Sequence, residues 1–140
     1  DVGHKSVTKR IAIAEGRLQV PESVILKLSK LPKGNPIEVA RIAGIMAAKR
    51  TSDLIPLCHP ITLEKVQVDI RAEKSAIHVE ATVQCQGKTG VEMEALTAVS
   101  ATLLTLYDML KSQSHDMTLS NISLLEKSGG KSGTYLKSRQ

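Results

Sequence analysis

Phenylalanine and tryptophan are missing from this chain, and Tyr107 and Tyr135 are its only aromatic residues. A core must be built from Ile, Val, Leu, Met and Ala. No row of rings is available to stack bases, as an RNA-recognition sheet requires. Cysteine is almost as scarce. Cys58 and Cys85 stand far apart, which excludes the disulfide framework of a small secreted domain and points to a reducing, cytoplasmic compartment. No apolar run approaches the roughly 20 residues that span a bilayer, and no signal peptide is visible. The chain opens at Asp1 rather than Met, so a preceding segment is expected.

What is present fits one domain of ordinary size, 140 residues with a formal net charge of +5. Such a balance favours anionic partners: a phosphorylated metabolite, a nucleic acid or an acidic protein. Thr8 to Val20 reads as a strand in which Ile11 and Ile13 alternate, with a turn near Gly16. Pro21 to Leu31 reads as a short, buried helix. Asn35 is a good N-cap, Pro36 fits the first helical position and Glu38 stands where a capping box places it. That helix runs to about Arg50, with Ile37, Ala40, Ile42, Ile45 and Met46 facing inward.

Leu63 to Glu73 and Ala76 to Gln86 alternate cleanly and are joined by a hairpin. On the second strand Ile77, Val79, Ala81, Val83 and Cys85 oppose His78, Glu80, Thr82 and Gln84. Val91 to Ser114 reads as the longest helix. Met117 to Leu125 is a last strand whose alternation slips near Asn121, the mark of a bulge. The order strand, helices, strand, strand, helix, strand corresponds to an α+β, ferredoxin-like split βαβ arrangement. Its antiparallel sheet should carry helices on one face only. The expected domain covers residues 1–126, followed by a mobile Gly/Ser/Lys-rich tail, residues 127–140.

Two segments crowd reactive side chains between residues that force turns. In Leu54-Ile55-Pro56-Leu57-Cys58-His59-Pro60, two prolines stiffen the backbone around a thiol and an imidazole. In Gly87-Lys88-Thr89-Gly90-Val91-Glu92-Met93-Glu94, two glycines let the chain bend around a lysine before two carboxylates. Zinc needs three or four convergent ligands, and no second Cys/His pair stands at finger spacing, so no metal site is expected. His59 is a ligand or acid–base group, or a hydrogen-bonded loop histidine. Glu92 closes a capping box with Thr89, or faces a ligand. Residues two apart on a helix diverge, so either one glutamate caps and the other acts, or the helix begins later. Asp108 and Lys111 share a helix face, as a surface ion pair or a proton-transfer pair. Lys127-Ser128-Gly129-Gly130-Lys131-Ser132-Gly133 is no P-loop, because Leu125 stands where the first glycine belongs.

These segments together resemble the cyclic pyranopterin monophosphate synthase family, the second enzymes of molybdenum cofactor biosynthesis. The resemblance also rests on Asp1-Val2, Ala40-Arg41-Ile42-Ala43-Gly44, Ala47-Ala48-Lys49-Arg50 and Leu106-Tyr107-Asp108-Met109-Leu110-Lys111. It implies a lyase assembled as a hexamer, a trimer of dimers with sites between subunits. The implied substrate is 3′,8-cyclo-7,8-dihydroguanosine triphosphate, converted to a cyclic pyranopterin monophosphate and pyrophosphate. By the same resemblance Lys33, Asp108 and Lys111 take acid–base positions. Leu57, Cys58, His59, Met93 and Glu94 take substrate-binding positions with Glu92 beside them, and Arg10, Lys49 and Lys127 present cations to the substrate. No cofactor is implied, and Mg²⁺ beside the triphosphate stays an open option. The chain departs from the family pattern at Thr134-Tyr135, where an acidic residue and an aromatic are more usual. Two other readings of the fold compete, a nucleic-acid-binding module and a non-catalytic metabolite sensor. A polynucleotide binder would show a steep salt dependence, and a sensor would not account for Lys33, Asp108 and Lys111.

Overall fold

A computed structural model describes residues 7–31, 34–131 and 133–138. Lys33, Asp1 and Val2 lie outside these. Five strands form one antiparallel sheet in the order β2-β3-β1-β4-β5: β1 Thr8–Gln19, β2 Lys65–Ala72, β3 Ala76–Gly87, β4 Thr118–Ser128 and β5 Tyr135–Leu136. The long helices α2 (Pro36–Lys49) and α4 (Glu92–Leu110) pack on each other and on one face of the sheet. Two short helices, α1 (Glu22–Ile25) and α3 (Thr51–Leu54), complete the chain. This is the expected split βαβ topology, extended by one short edge strand.

Alternation identifies β2 and β3 correctly, and their inward residues Val68, Ile77, Val79, Ala81, Val83 and Cys85 are buried. On β1 the small-residue face is the one that turns inward. Arg10, Ala12, Ala14, Gly16 and Leu18 turn toward the helices, while Ile11 and Ile13 sit half-buried on the other face. Gly16 makes no turn. It lies where α4 crosses closest, and a Cβ there would come within 2.8 Å of both Leu103 Cδ1 and Val99 Cγ1. A small face on β1 is what lets a leucine-rich helix approach this sheet.

The same substitution of closeness for bulk governs α2. Asn35 caps it, its Oδ1 accepting from the backbone N–H of Ile37 and Glu38 at 3.0 and 3.4 Å. Glu38 reaches Arg41 rather than closing a capping box. The buried stripe is Pro36, Ala40, Gly44 and Ala48. Ile42 and Met46, expected inside, are 57% and 49% exposed. Gly44 rests against Thr102 and the Ala98 carbonyl of α4, so the helix pair is held by backbone proximity and the larger side chains are displaced outward.

The stretch expected as one helix from Pro21 to Leu31 breaks into α1 and a single 3₁₀ turn, Leu28–Lys30. Only Val24 of these elements is buried, too little apolar contact to hold a longer helix. The bulge near Asn121 is present: Glu15 pairs with Ser123 but Arg17 with Ser120, and Asn121 adopts φ 58°. β4 then continues past Leu125 to Ser128, with β5 pairing along its outer edge at Glu126 and Lys127. Ladder bonds on both sides carry the strand beyond the end of its apolar pattern, so Lys127 belongs to the sheet.

The pairing also sorts the chain into two ends. Thr8, Lys65, Gly87 and Ser128 meet at one, where α2 ends and α4 begins. Gln19, Ala72, Ala76 and Thr118 meet at the other, where α2 begins and α4 ends.

Candidate functional site

At the first end, the centre is Arg10. It lies on the helix-facing side of β1, 8% exposed, and its Nε donates to the Gly87 carbonyl at 2.8 Å. Among the described residues no ion pair joins Arg10 to a carboxylate. Among the described residues its one recorded hydrogen-bond partner is that neutral carbonyl, so a largely buried cation there favours an anion beside it. Beside it, Cys85 is fully buried with Sγ 3.9 Å from the Thr89 carbonyl oxygen. Burial pushes that thiol up, against the pull of Arg10, so it stays neutral and serves as packing.

Helix α4 brings in two carboxylates. The expected capping box does not form. Val91, fully buried, takes the N-cap position without a side-chain bond, and Glu92 is the first helical residue. Burying Val91 fixes the entry of the chain and leaves Thr89 in the preceding loop. Glu92 and Glu94 then diverge as helical geometry requires. Glu92 folds back over Gly90 and its Oε2 lies 3.9 Å from Lys127 Nζ. Glu94 points inward and is 3% exposed. Burial raises the Glu94 carboxyl above the usual carboxylate range; its own backbone N–H works against this, and the charge of Glu92 adds to it. Such a group can exchange a proton closer to neutrality than an exposed glutamate. Met93, between them, is partly exposed.

Lys49 is the last residue of α2 and is exposed. The segment Leu57-Cys58-His59 lies in the connection from α3 to β2, whose far end is tied down by Glu64 N–H donating to the Gln84 carbonyl at 2.9 Å. Leu57 is 92% exposed, Cys58 is half-buried and His59 is exposed. These residues therefore lead into the same end of the sheet as Arg10, Glu92, Glu94 and Lys127.

Asp108 and Lys111 do not. They stand at the C-terminal end of α4, with Lys111 Nζ 2.9 Å from Asp108 Oδ1. That hydrogen bond and the aspartate charge raise the Lys111 ammonium above the ordinary lysine range, so it is held protonated. Lys33, the third acid–base candidate, lies outside the described residues. One chain thus divides the candidate residues into two groups.

Sequence reasoning singled out Gly129 and Gly130 as part of the glycine-rich tail but not their contact with Arg10. Both have positive φ, 99° and 79°, and both press against Arg10 and its backbone. Paired glycines directly after a strand were the available signal. Away from both ends, a groove of about 850 Å³ crosses the helix-free face. Its cations Arg17 and Arg71 both bind Glu73, and Glu15 Oε1 lies 2.9 Å from His78 Nε2. Among the described residues, no group of three His, Cys, Asp or Glu side chains could hold a metal ion. Nor is any helix there long and apolar enough to cross a membrane.

Fold and side-chain placement together define an α+β domain of split βαβ topology, with Arg10 and Glu94 buried toward one end and the Asp108–Lys111 ion pair at the other. The chain belongs to the MoaC family, whose model matches residues 1–130. It is 56% identical over 139 residues to a cyclic pyranopterin monophosphate synthase of Parvibaculum lavamentivorans, covering 96% of this chain and 87% of the relative. The synthase of Thermomicrobium roseum is 50% identical, with 96% and 84% covered. Molybdenum cofactor biosynthesis protein 1 of Drosophila melanogaster is 53% identical over 135 residues, which cover 94% of this chain and 24% of that longer protein.

Proposed function

We propose that this protein is a cyclic pyranopterin monophosphate synthase, a lyase acting in molybdenum cofactor biosynthesis. Its substrate would be 3′,8-cyclo-7,8-dihydroguanosine triphosphate. The purine ring is opened hydrolytically and rebuilt as a pyranopterin, a cyclic phosphate closes and pyrophosphate leaves. The observation that carries this reading is that the chain is at least half identical to named synthases, with Arg10 and Glu94 both buried at one end of its sheet.

The chemistry asks for cations that offset a polyanion and for groups that move protons without redox change. Arg10, Lys127 and Lys49 supply the first. Lys111, kept protonated by Asp108, acts as a general acid. Glu94, with a raised carboxyl, exchanges protons near the ring. No resident cofactor is invoked, and Mg²⁺ would enter only as the companion of the triphosphate.

The two groups of residues act together in an oligomer with sites between subunits, a hexamer built as a trimer of dimers. Support comes from the distance between the groups and from apolar side chains left in water: Val39, Ile42 and Met46 along one face of α2, and Leu54 and Leu57 beyond α3. Monomers rarely expose such patches without use. The same reading puts the protein in the cytoplasm, where its two cysteines stay free.

The test supplies the full chain with the cyclised nucleotide and follows the pterin by fluorescence after oxidation. Wild type should turn over, and Lys33→Ala and Asp108→Ala should fold and lose most turnover. Absence of product from folded wild type would end the proposal, while full activity in both variants would reject the assigned roles.

A further inference from the structure

We infer that the Gly129-Gly130 turn is a positioning element that fixes the Arg10 guanidinium as a rigid fork for a pyrophosphate group. This rests on the reading of the Arg10 end as the place where a polyphosphate binds. Three observations carry it. Arg10 is 8% exposed as a residue, and one edge of its guanidinium is committed to the Gly87 carbonyl through Nε. No carboxylate among the described residues pairs with it, so Nη1 and Nη2 are held in reserve. The chain leaving β4 then wraps directly over it.

Only glycine fits that wrap. Gly129 has φ 99°, and a Cβ there would meet the Lys9 carbonyl and come within 3.1 Å of Arg10 Cα. Gly130 has φ 79°, and a Cβ there would strike Arg10 Nη1 and lie 3.2 Å from Nη2. Gly133 is the informative contrast. It too has positive φ, 71°, yet a Cβ on it would meet nothing within 4 Å. Backbone conformation alone explains Gly133; contact with the guanidinium distinguishes Gly130. A planar fork presents two parallel N–H donors to phosphate oxygens, and its value depends on orientation. The turn sets that orientation by packing backbone where a side chain would otherwise push the fork aside. Lys127, two residues before the turn, is carried on the same strand, so one segment places both cations.

The experiment compares wild type with Gly130→Asn, Gly130→Ala, Gly133→Ala and Arg10→Lys as full chains. Asparagine tolerates positive φ better than other L-residues but still carries a Cβ, which separates contact from backbone strain. Calorimetry with inorganic pyrophosphate reads binding, KM and kcat with the cyclised nucleotide read catalysis, and thermal melting reads folding. Gly130→Asn should weaken pyrophosphate binding and raise KM by roughly tenfold to a hundredfold, the loss expected for a charge-assisted hydrogen bond, with a smaller change in kcat. Gly133→Ala should leave pyrophosphate binding as in wild type. On an Arg10→Lys background, Gly130→Asn should add no further loss. Wild-type pyrophosphate binding in folded Gly130 variants would overturn the inference, as would a loss that persists in full on the Arg10→Lys background. If the Gly130 variants fail to fold, Arg10→Lys decides: binding equal to wild type means no fixed fork is needed, and weakened binding supports one. Turnover without dependence on Gly130 would leave the synthase standing and remove the fork. Pyrophosphate binding that depends on Gly130, without turnover, would do the reverse.

Discussion

Glu94 and Asp108 belong to one helix yet serve opposite ends of the domain: Asp108 follows Glu94 by 14 positions on α4, about 21 Å at ~1.5 Å per residue. No single small molecule spans that distance within one chain. The side chains differ in kind as well. Glu94 is buried with a raised carboxyl, whereas Asp108 lies at the surface holding a lysine protonated. On the proposed assembly, a site that uses both draws Glu94 from one subunit and Asp108 from another.

Mixed subunits should therefore complement each other. Glu94→Gln and Asp108→Asn chains, each strongly impaired alone, should regain roughly a quarter of wild-type turnover when dissociated and reassembled together, because random pairing reunites intact halves at about that frequency. Turnover measured before and after mixing checks this. No recovery in verified mixed oligomers would show that each chain supplies its own complete site.

Asp108→Asn should lower turnover by about a hundredfold, within the range for losing a general acid, while the melting temperature stays near wild type because the pair is exposed. The aspartate raises the Lys111 ammonium, so activity that needs the acid is present below the raised value and falls as pH rises through it. Removing the charge should move this alkaline limb to lower pH. A limb that stays in place in the residual activity would detach Lys111 from that role.

For Glu94 the linkage has a definite sign. A carboxyl raised in the fold favours the protonated native state, so its contribution is present below the ordinary glutamate value and is lost as pH rises through the raised one. Glu94→Gln should therefore gain stability relative to wild type as pH climbs from about 4 toward neutrality, even as activity disappears. Denaturant unfolding of both proteins across that range reads the difference, and a trend in the opposite direction would mean that the carboxylate is stabilised in the fold.

Gly44→Ala tests the close approach of α2 and α4. A methyl group there meets Thr102 Oγ1 and lies 3.0 Å from the Ala98 carbonyl oxygen. Overpacking of this kind destabilises by about 1–3 kcal/mol, against a helix-propensity gain of roughly 0.5–1 kcal/mol. A net loss of about 1–2 kcal/mol in urea unfolding is expected, reduced when Thr102→Ala is added. A more stable Gly44→Ala protein would show that the helices have room to part.

The family and the fold class of this protein were legible in its residues before any fold was known. The alternation of β2 and β3, the Asn35-Pro36 cap and the slip at Asn121 are local patterns, and local backbone preferences produced them as read. The turn-flanked runs around His59 and Glu94 likewise stood out locally, because proline fixes the backbone and glycine frees it wherever they occur. Other features were beyond any local pattern. Alternation says that β1 has two faces but not which one meets α4, and small Ala and Gly residues won that place because closeness outweighed bulk. A helical repeat says which residues share a stripe, not that Ile42 and Met46 stay outside while Gly44 goes in. Above all, only the folded chain sends Glu94 and Asp108 to opposite ends and buries Arg10 with no carboxylate partner among the described residues, since distance and desolvation arise from residues far apart in sequence closing around them.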